Sequence, residues 1–468
     1  MASSNFTATT IFQLIKEAIS GKEIDYTKGS IRKAIVLLSI PMILEMCMES
    51  IFALVDIAYV SQVSTNAVAT IGLTESVLTL VYAVAVGLSM AATAVVARRI
   101  GEKDKEGANR AAVQVIFLGI AVAAVVSCIG IMYPKEILQL MGAEASLVEE
   151  GYRYTQILFG GNITIVLLFL INAIFRGAGN ASIAMWVLIL SNGLNIILDP
   201  IFIFGWGPIP EYGVAGAAIA TTIGRGTAVL FQLYLLFFGS TRIKLALQHI
   251  KLNLTIMFNL IRVSLGGIGQ FLIGTSSWIF LMRIMSEFGS EVLAGYTIAI
   301  RVMMFTLMPA WGMSNAAATL VGQNLGANQP ERAEVSVWKT SKYNAWFMAV
   351  ISVLYLVFAA RIISWFSDEQ DVVYYGALSL QIITAGYVFY AYGMTITNAF
   401  NGAGDTKTPT IINFFCFWLI QLPFAYTAAL LWDWGPIGVF TAITLAEVLI
   451  AIIAILWFKK GSWKLTKV

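Results

Sequence analysis

Histidine and cysteine are nearly missing from this 468-residue chain, which holds one histidine and three cysteines. The histidine, His249, lies in a basic linker, and its isolation removes most metal-centre and acid–base schemes that depend on imidazole. Cys47, Cys128 and Cys416 each fall inside an apolar stretch and far from one another. They define neither a disulfide framework nor a metal-ligand spacing, and no structural metal or other cofactor is expected. The phosphate-cradling loop of nucleotide hydrolases, HExxH and GxSxG are all absent, which argues against direct use of ATP and against an intramembrane enzyme. Charge is scarce as well. Charged residues make up 12% of the chain and hydrophobic ones 59%, against about 25% charged in a soluble domain, so water is not the main solvent.

Long apolar runs are what the chain has in abundance. A bilayer core of about 30 Å takes about 20 such residues per helix, and spans are predicted near 36–61, 70–96, 112–133, 152–175, 183–204 and 214–239. A second set follows near 256–285, 295–321, 341–360, 377–400, 410–432 and 438–458. Twelve spans put both termini on one side, and the basic residues say which. Five lie before residue 35, five in the 97–111 loop (Arg98, Arg99, Lys103, Lys105, Arg110) and four in 240–262, while the alternate loops have almost none. With Arg176 and the basic tail added, the positive-inside rule places both termini in the cytoplasm. Residues 1–34 lack the basic start, apolar run and cleavage site of a secretory signal, in keeping with that placement. Within them Ile11, Phe12, Leu14, Ile15, Ala18 and Ile19 recur at helical spacing, opposite Lys16 and Glu17, as in a helix lying on a membrane surface.

The chain repeats itself at an offset of 225. Ala97-Arg-Arg-Ile-Gly101 falls on Gly322-Gln-Asn-Leu-Gly326, Ala67-Val-Ala69 on Val292-Leu-Ala294, and Gly177-Ala-Gly-Asn180 on Gly402-Ala-Gly-Asp405. Three matches at one spacing, each in an equivalent place, mark a duplication. Six spans per half is an even number, so both halves insert the same way round. The fold expected is an all-α integral membrane protein of two six-helix lobes, related by a pseudo-twofold along the membrane normal with a cavity between them, an arrangement used by secondary transporters. The boundaries expected are a cytoplasmic segment 1–34, an N-lobe 35–239, a cytoplasmic linker 240–258, a C-lobe 259–458 and a basic tail 459–468.

An ionisable group at the bilayer centre costs about 2.5–3.5 kcal/mol even on lenient scales, so each one invites a functional reading. Glu45, Glu49 and Asp56 share one face of the first span, at i, i+4 and i+11. Asn192, Asn195 and Asp199 share one face of the fifth, where Pro200 frees a backbone carbonyl. Thr221 of the sixth span and Tyr154 of the fourth reach the same outer zone. Two carboxylates, an amide oxygen, a hydroxyl and a phenol suit a hard cation or a shared proton. For Asn192, Tyr154 and Thr221 taken singly, helix-to-helix hydrogen bonding explains as much. Glu45 and Glu49 could line a wet vestibule without binding anything. Shifted by 225, Asp56 becomes Leu281, Asn195 Ile420, Asp199 Phe424 and Glu45 Gln270, so the second half has no such cluster. Its intramembrane charges are Arg301, which could answer one of the acids but is expected rather to pair within its own lobe, and Glu447; Arg225 joins them from the sixth span.

Taken with Ser39-Ile-Pro41, Val55-Asp56, Val60-Ser61, Arg176-Gly-Ala-Gly-Asn180, Asn195-Ile-Ile-Leu-Asp199-Pro200 and Gly213-Val-Ala-Gly-Ala-Ala218, these residues resemble the multidrug and toxic compound extrusion family over about 30–460. The resemblance implies an antiporter that expels cationic or aromatic compounds in exchange for protons or sodium ions by alternating access. It also implies a cation site at Asp56, Asn195, Asp199, Thr221 and Tyr154, a bend at Pro41, and a drug cavity reached by Glu49 and Asn172, with Glu45 and Asn192 as further cavity candidates. Partners expected are the bilayer of the plasma membrane, a small organic substrate and the coupling cation; the chain is expected to act as a monomer and to bind no nucleic acid. A flippase for lipid-linked sugars would want a cavity rich in Arg and Lys, and a receptor or channel would have no particular use for one-sided acids in a duplicated frame.

Overall fold

The computed structural model describes residues 8–468, with side chains from Phe12 onward, and within them every regular element is helical. Backbone polar groups have no water to turn to in hydrocarbon, and a helix satisfies them within its own segment. A first helix, α1 (Ala8–Ile19), precedes the bundle. The N-terminal half then comprises α2 (Ile31–Val60), α3 (Thr65–Gly101), α4 (Lys105–Met132), the short α5 (Pro134–Leu140), α6 (Ala145–Gly160), α7 (Asn162–Ala178), α8 (Ala181–Ile203) and α9 (Val214–Phe238). The C-terminal half comprises α10 (Leu254–Met285), α11 (Ser290–Gly326), α12 (Pro330–Ile363), α13 (Gln370–Ala385), α14 (Tyr387–Ala403), α15 (Lys407–Leu431) and α16 (Pro436–Lys460). Ser30, Ser64, Asp104 and Asn253 each cap a helix start by accepting from a backbone amide three residues on.

Ten of these helices are long and apolar enough to cross a membrane alone. The fourth and tenth spans, read from the sequence as single helices, are bent pairs: α6 and α7 meet at 41°, α13 and α14 at 56°. Both breaks fall on glycines at the repeat spacing, Gly161 and Gly386, which take nearly the same backbone angles. Hydropathy could not reveal them, because apolar residues continue across each break. The predicted linker also differs, since α10 already begins at Leu254. Helix α1 packs one edge into the bundle through Ala18, which is buried with Ala34, Ile35, Ala181 and Leu320, while Phe12 is exposed. The side chain of Ile11 lies outside the described residues.

The duplication is visible in the packing. The first helix of each half lies on the second helix of the other, α2 on α11 and α10 on α3. At Gly312 a Cβ would stand 2.5 Å from the Met42 carbonyl and 2.9 Å from the Ile43 amide; at its repeat partner Gly87 it would stand 2.6 Å from the Ile268 amide. Farther along, Gly101 abuts the Gln323 carbonyl and Gly326 the Arg98 carbonyl. The side chains of that pair cross over as well: Gln323 Nε2 donates to the Gly177 carbonyl (2.9 Å), and Arg98 Nη2 donates to the carbonyls of Ala403 (3.4 Å) and Thr466 (2.6 Å). The repeated Gly-Ala-Gly motif ends α7 and α14 alike. Gly179 and Gly404 adopt φ of 88° and 87°, and the next amide closes onto Phe175 or Phe400. In the last span the register slips by three residues. Thr444 meets Gly386 as Thr222 meets Gly161, and Glu447 thereby answers Arg225.

These interlobe contacts lie in the half of the molecule that holds the basic loops and both termini, here termed the basic end. Toward the other end the lobes part, and Leu54 and Ile57 there are 53% and 44% exposed. Adding methyls at the glycine seam should be costly. Gly312→Val is expected to destabilise by about 1–3 kcal/mol, read as a lower thermal midpoint in detergent. Gly274→Ala, whose Cβ meets nothing within 4 Å, should not lower it.

Candidate functional site

Between the lobes lies a cavity of about 640 Å³. The predicted acidic face of the first span points into it, since Glu45, Glu49 and Asp56 all line the space, with Tyr154, Asn172 and Thr221. The second polar stripe lies behind the wall. Asp199 is 0% exposed and Asn195 and Asn192 are 2% exposed, none of them lining the cavity.

Asp56, Tyr154, Asn195, Asp199 and Thr221 come together from α2, α6, α8 and α9. Asn195 Nδ2 donates to Asp199 Oδ1 (3.3 Å) and to Thr221 Oγ1 (3.1 Å). Asp56 stands within Coulombic range of Asp199, of Tyr154 and of Arg225. Pro200 has no amide hydrogen to give to the carbonyl one turn back, that of Ile196, next to Asn195. Three acceptor oxygens in this group, Asp56 Oδ1, Asp199 Oδ2 and Asn195 Oδ1, are shut off from solvent with no donor. Buried oxygens are rarely left so, and a proton or a hard cation is what would satisfy them. Among the described residues no three His, Cys, Asp or Glu side chains converge as transition-metal ligands would.

A second polar group lies deeper, toward the basic end. Arg176 pairs with Glu45 at 2.5 Å, Asn172 donates to the same carboxylate oxygen (3.3 Å), and Gln232 donates to Asn172 (2.6 Å). Arg176, counted from the sequence among the basic loop residues, is therefore drawn inward, its side chain 12% exposed. Its repeat partner is Asn401, and that of Glu45 is Gln270. These two amides bond each other at 2.9 and 3.1 Å, so the ion pair of one lobe is a neutral pair in the other. Asn192 donates to the Met48 carbonyl and ties α8 to α2.

Sequence reasoning passed over Glu75 of α3, which lines the cavity and is exposed to it. It lies only a few residues inside the predicted second span, where a charge passes for a helix end. Arg225 faces the same region, with its guanidinium over the Phe52 ring at 5.3 Å and donating to the Tyr82 hydroxyl at 3.5 Å. The C-lobe wall is built mainly from α11, with Arg301, Met304, Phe305, Met308 and Trp311, and is completed by Asn398 and Asn401 of α14. The pairing expected for Arg301 is not found: among the described residues it makes no ion pair or hydrogen bond. Buried Glu447 also lacks a partner there, and lies near Tyr390 and Cys416.

A two-lobed helical bundle with an acid-lined cavity fits few families, and a family model decides which. The model described as MatE matches residues 41–201 and again 268–427, once in each half. The chain belongs to the MatE family. Among its relatives is the probable multidrug resistance protein NorM of Thermotoga maritima, 26% identical, with 97% of each chain covered. Among solved structures, the outward-facing conformation of a multidrug resistance MATE family transporter of the MOP superfamily superposes with a TM-score of 0.88 at 29% identity, over 95% of this chain and 99% of that one. A MATE in the bent conformation matches with 0.87 and 28%, over 96% and 98%. This MatE chain is thus a multi-pass membrane transporter of two six-helix lobes related by a pseudo-twofold along the membrane normal.

The deeper polar group yields a stability prediction. Arg176→Gln should leave Glu45 buried without its partner and cost about 3–5 kcal/mol. The double variant Glu45→Gln with Arg176→Gln, which copies the neutral amide pairing of the other lobe, should recover most of that loss in thermal unfolding.

Proposed function

We propose that the protein is a secondary active antiporter of the cytoplasmic membrane, with both termini in the cytoplasm. It exports small cationic or aromatic organic compounds in exchange for protons or sodium ions. The three donorless oxygens of Asp56, Asp199 and Asn195 carry this reading. They form a set that a cation or proton completes, in the lobe that supplies the acids lining the cavity, and that cavity is large enough for an organic molecule. The multidrug relatives support the choice of substrate.

With the basic end in the cytoplasm, the cavity of this state faces outward. A cation entering Asp56 and Asp199 cancels the repulsion between two buried carboxylates on α2 and α8 and lets those helices close up. Pro41 offers a means of transmitting the change. It deprives the Leu37 carbonyl of its helical donor, and it directly precedes Met42 and Ile43, the residues that seat Gly312 of the opposite lobe. A bend there moves the interlobe seam itself. Substrate leaves as the cation binds, and the lobes then rock to open the basic end. The chain holds one complete site and works as a monomer.

The flippase alternative is weaker on charge. A pyrophosphate in this cavity would meet Glu49, Glu75 and Asp56 as well as Arg225 and Arg301.

Asp56→Asn and Asp199→Asn should each abolish gradient-driven dye efflux from proteoliposomes while dye binding in detergent persists. Efflux at the wild-type rate in both variants would refute the coupling scheme.

A further inference from the structure

Sorting the cavity's guanidinium groups by partner singles one out. Arg176 is paired with Glu45. Arg225 is held by Tyr82 and Phe52 and stands within Coulombic range of Glu49 and Asp56. Arg301 has no carboxylate, carbonyl or ring partner among the described residues, and it is exposed to the cavity from the C-lobe wall. Met304, Phe305 and Met308 follow it at i+3, i+4 and i+7, so the guanidinium and an apolar, aromatic surface share one helix face. On the N-lobe wall, the carboxylates of Glu49 and Glu75 accept no hydrogen bond and form no close ion pair among the described residues, although Arg225 stands within Coulombic range of both.

An unpartnered guanidinium on one lobe and carboxylates without hydrogen bonds on the other, with apolar surface between them, complement a molecule charged oppositely at its two ends. We infer that Arg301 is a specificity-determining residue, and that the preferred substrates are zwitterionic aromatic compounds whose anionic group is held by Arg301. This deepens the transport reading above and rests on the same cavity. A guanidinium presents paired donors to a carboxylate or phosphate, which a solvated lysine matches only as a point charge. Because the two charges of the substrate would bridge two lobes, it also engages both moving parts at once. A purely cationic drug has no use for Arg301 and is mildly repelled by it.

The test uses two rhodamine dyes that differ in one group: an ethyl ester, which is a cation, and the parent free acid, which is a zwitterion. Binding is measured by fluorescence anisotropy on the full chain in detergent, and export by the same chain in proteoliposomes. For the zwitterion, Arg301→Gln is expected to weaken binding about tenfold, and Arg301→Lys to retain part of the affinity. For the ester, Arg301→Gln should leave binding unchanged or slightly tighter. Equal effects on both dyes, or none on either, would overturn the inference. The binding arm does not depend on transport. Arg301-dependent binding of the zwitterion without gradient-driven export would therefore uphold the specificity residue and count against the antiport reading instead.

Discussion

The two halves of this protein touch backbone to backbone at the basic end, through glycines that leave no room for a Cβ. Gly87 and Gly312 seat the first helix of the opposite lobe, and Gly101 and Gly326 bring the second helices of both lobes into contact. Small residues allow such approach where no hydrophobic drive separates protein from lipid tails. The lobes are closed this tightly at one end only, and they part toward the other. The cavity lies where they part. Pro41 lies one residue from the contact, and Arg98 holds the C-terminal segment and the end of α14 from across the seam with its guanidinium.

Against this symmetric frame the charges are asymmetric. The Glu45–Arg176 ion pair is answered by Gln270 and Asn401, the carboxylates Asp56 and Asp199 by Leu281 and Phe424, and Arg225 by Glu447. Duplication supplied two equal scaffolds, and charge differentiated them. One lobe holds a cluster of buried oxygens without donors, which the proposed coupling cation would complete. The other presents apolar and aromatic wall with a single unpaired guanidinium. In the proposed mechanism a cation arriving in the first lobe would change local charge without a matching event in the second, and a difference between the lobes is what an inter-lobe motion needs.

Much of this was legible in the chain. The spans followed from apolar run length, the doubling from three motifs at one offset, and the clustering of Asp56, Asn195, Asp199, Thr221 and Tyr154 from helical periodicity combined with depth. What could not be read had physical reasons. The bends at Gly161 and Gly386 lie in stretches that stay apolar, so hydropathy is blind to them. The slip of three residues before α16 comes from a shorter loop, and a single offset conceals it. Arg176 looked like a loop residue because its partner, Glu45, lies 131 positions away. The freedom of Arg301 is a fact about what surrounds it, and no local pattern encodes that. Burial of Asp199 and Asn195 behind the cavity wall, with Asp56 on its surface, likewise needed the packing of four helices to be seen.

If the seam at the basic end is the moving part, its opening can be measured directly. Lys103 and Asn328 occupy equivalent loop tips on the two lobes, both exposed and both with positive φ. Spin labels at these two positions, in an otherwise cysteine-free chain in liposomes, report their separation by electron–electron resonance. The account predicts a short distance matching the closed seam, joined by a second, longer population whose weight changes with pH or sodium concentration. One unvarying distance under every ionic condition, in protein that still exports dye, would contradict it.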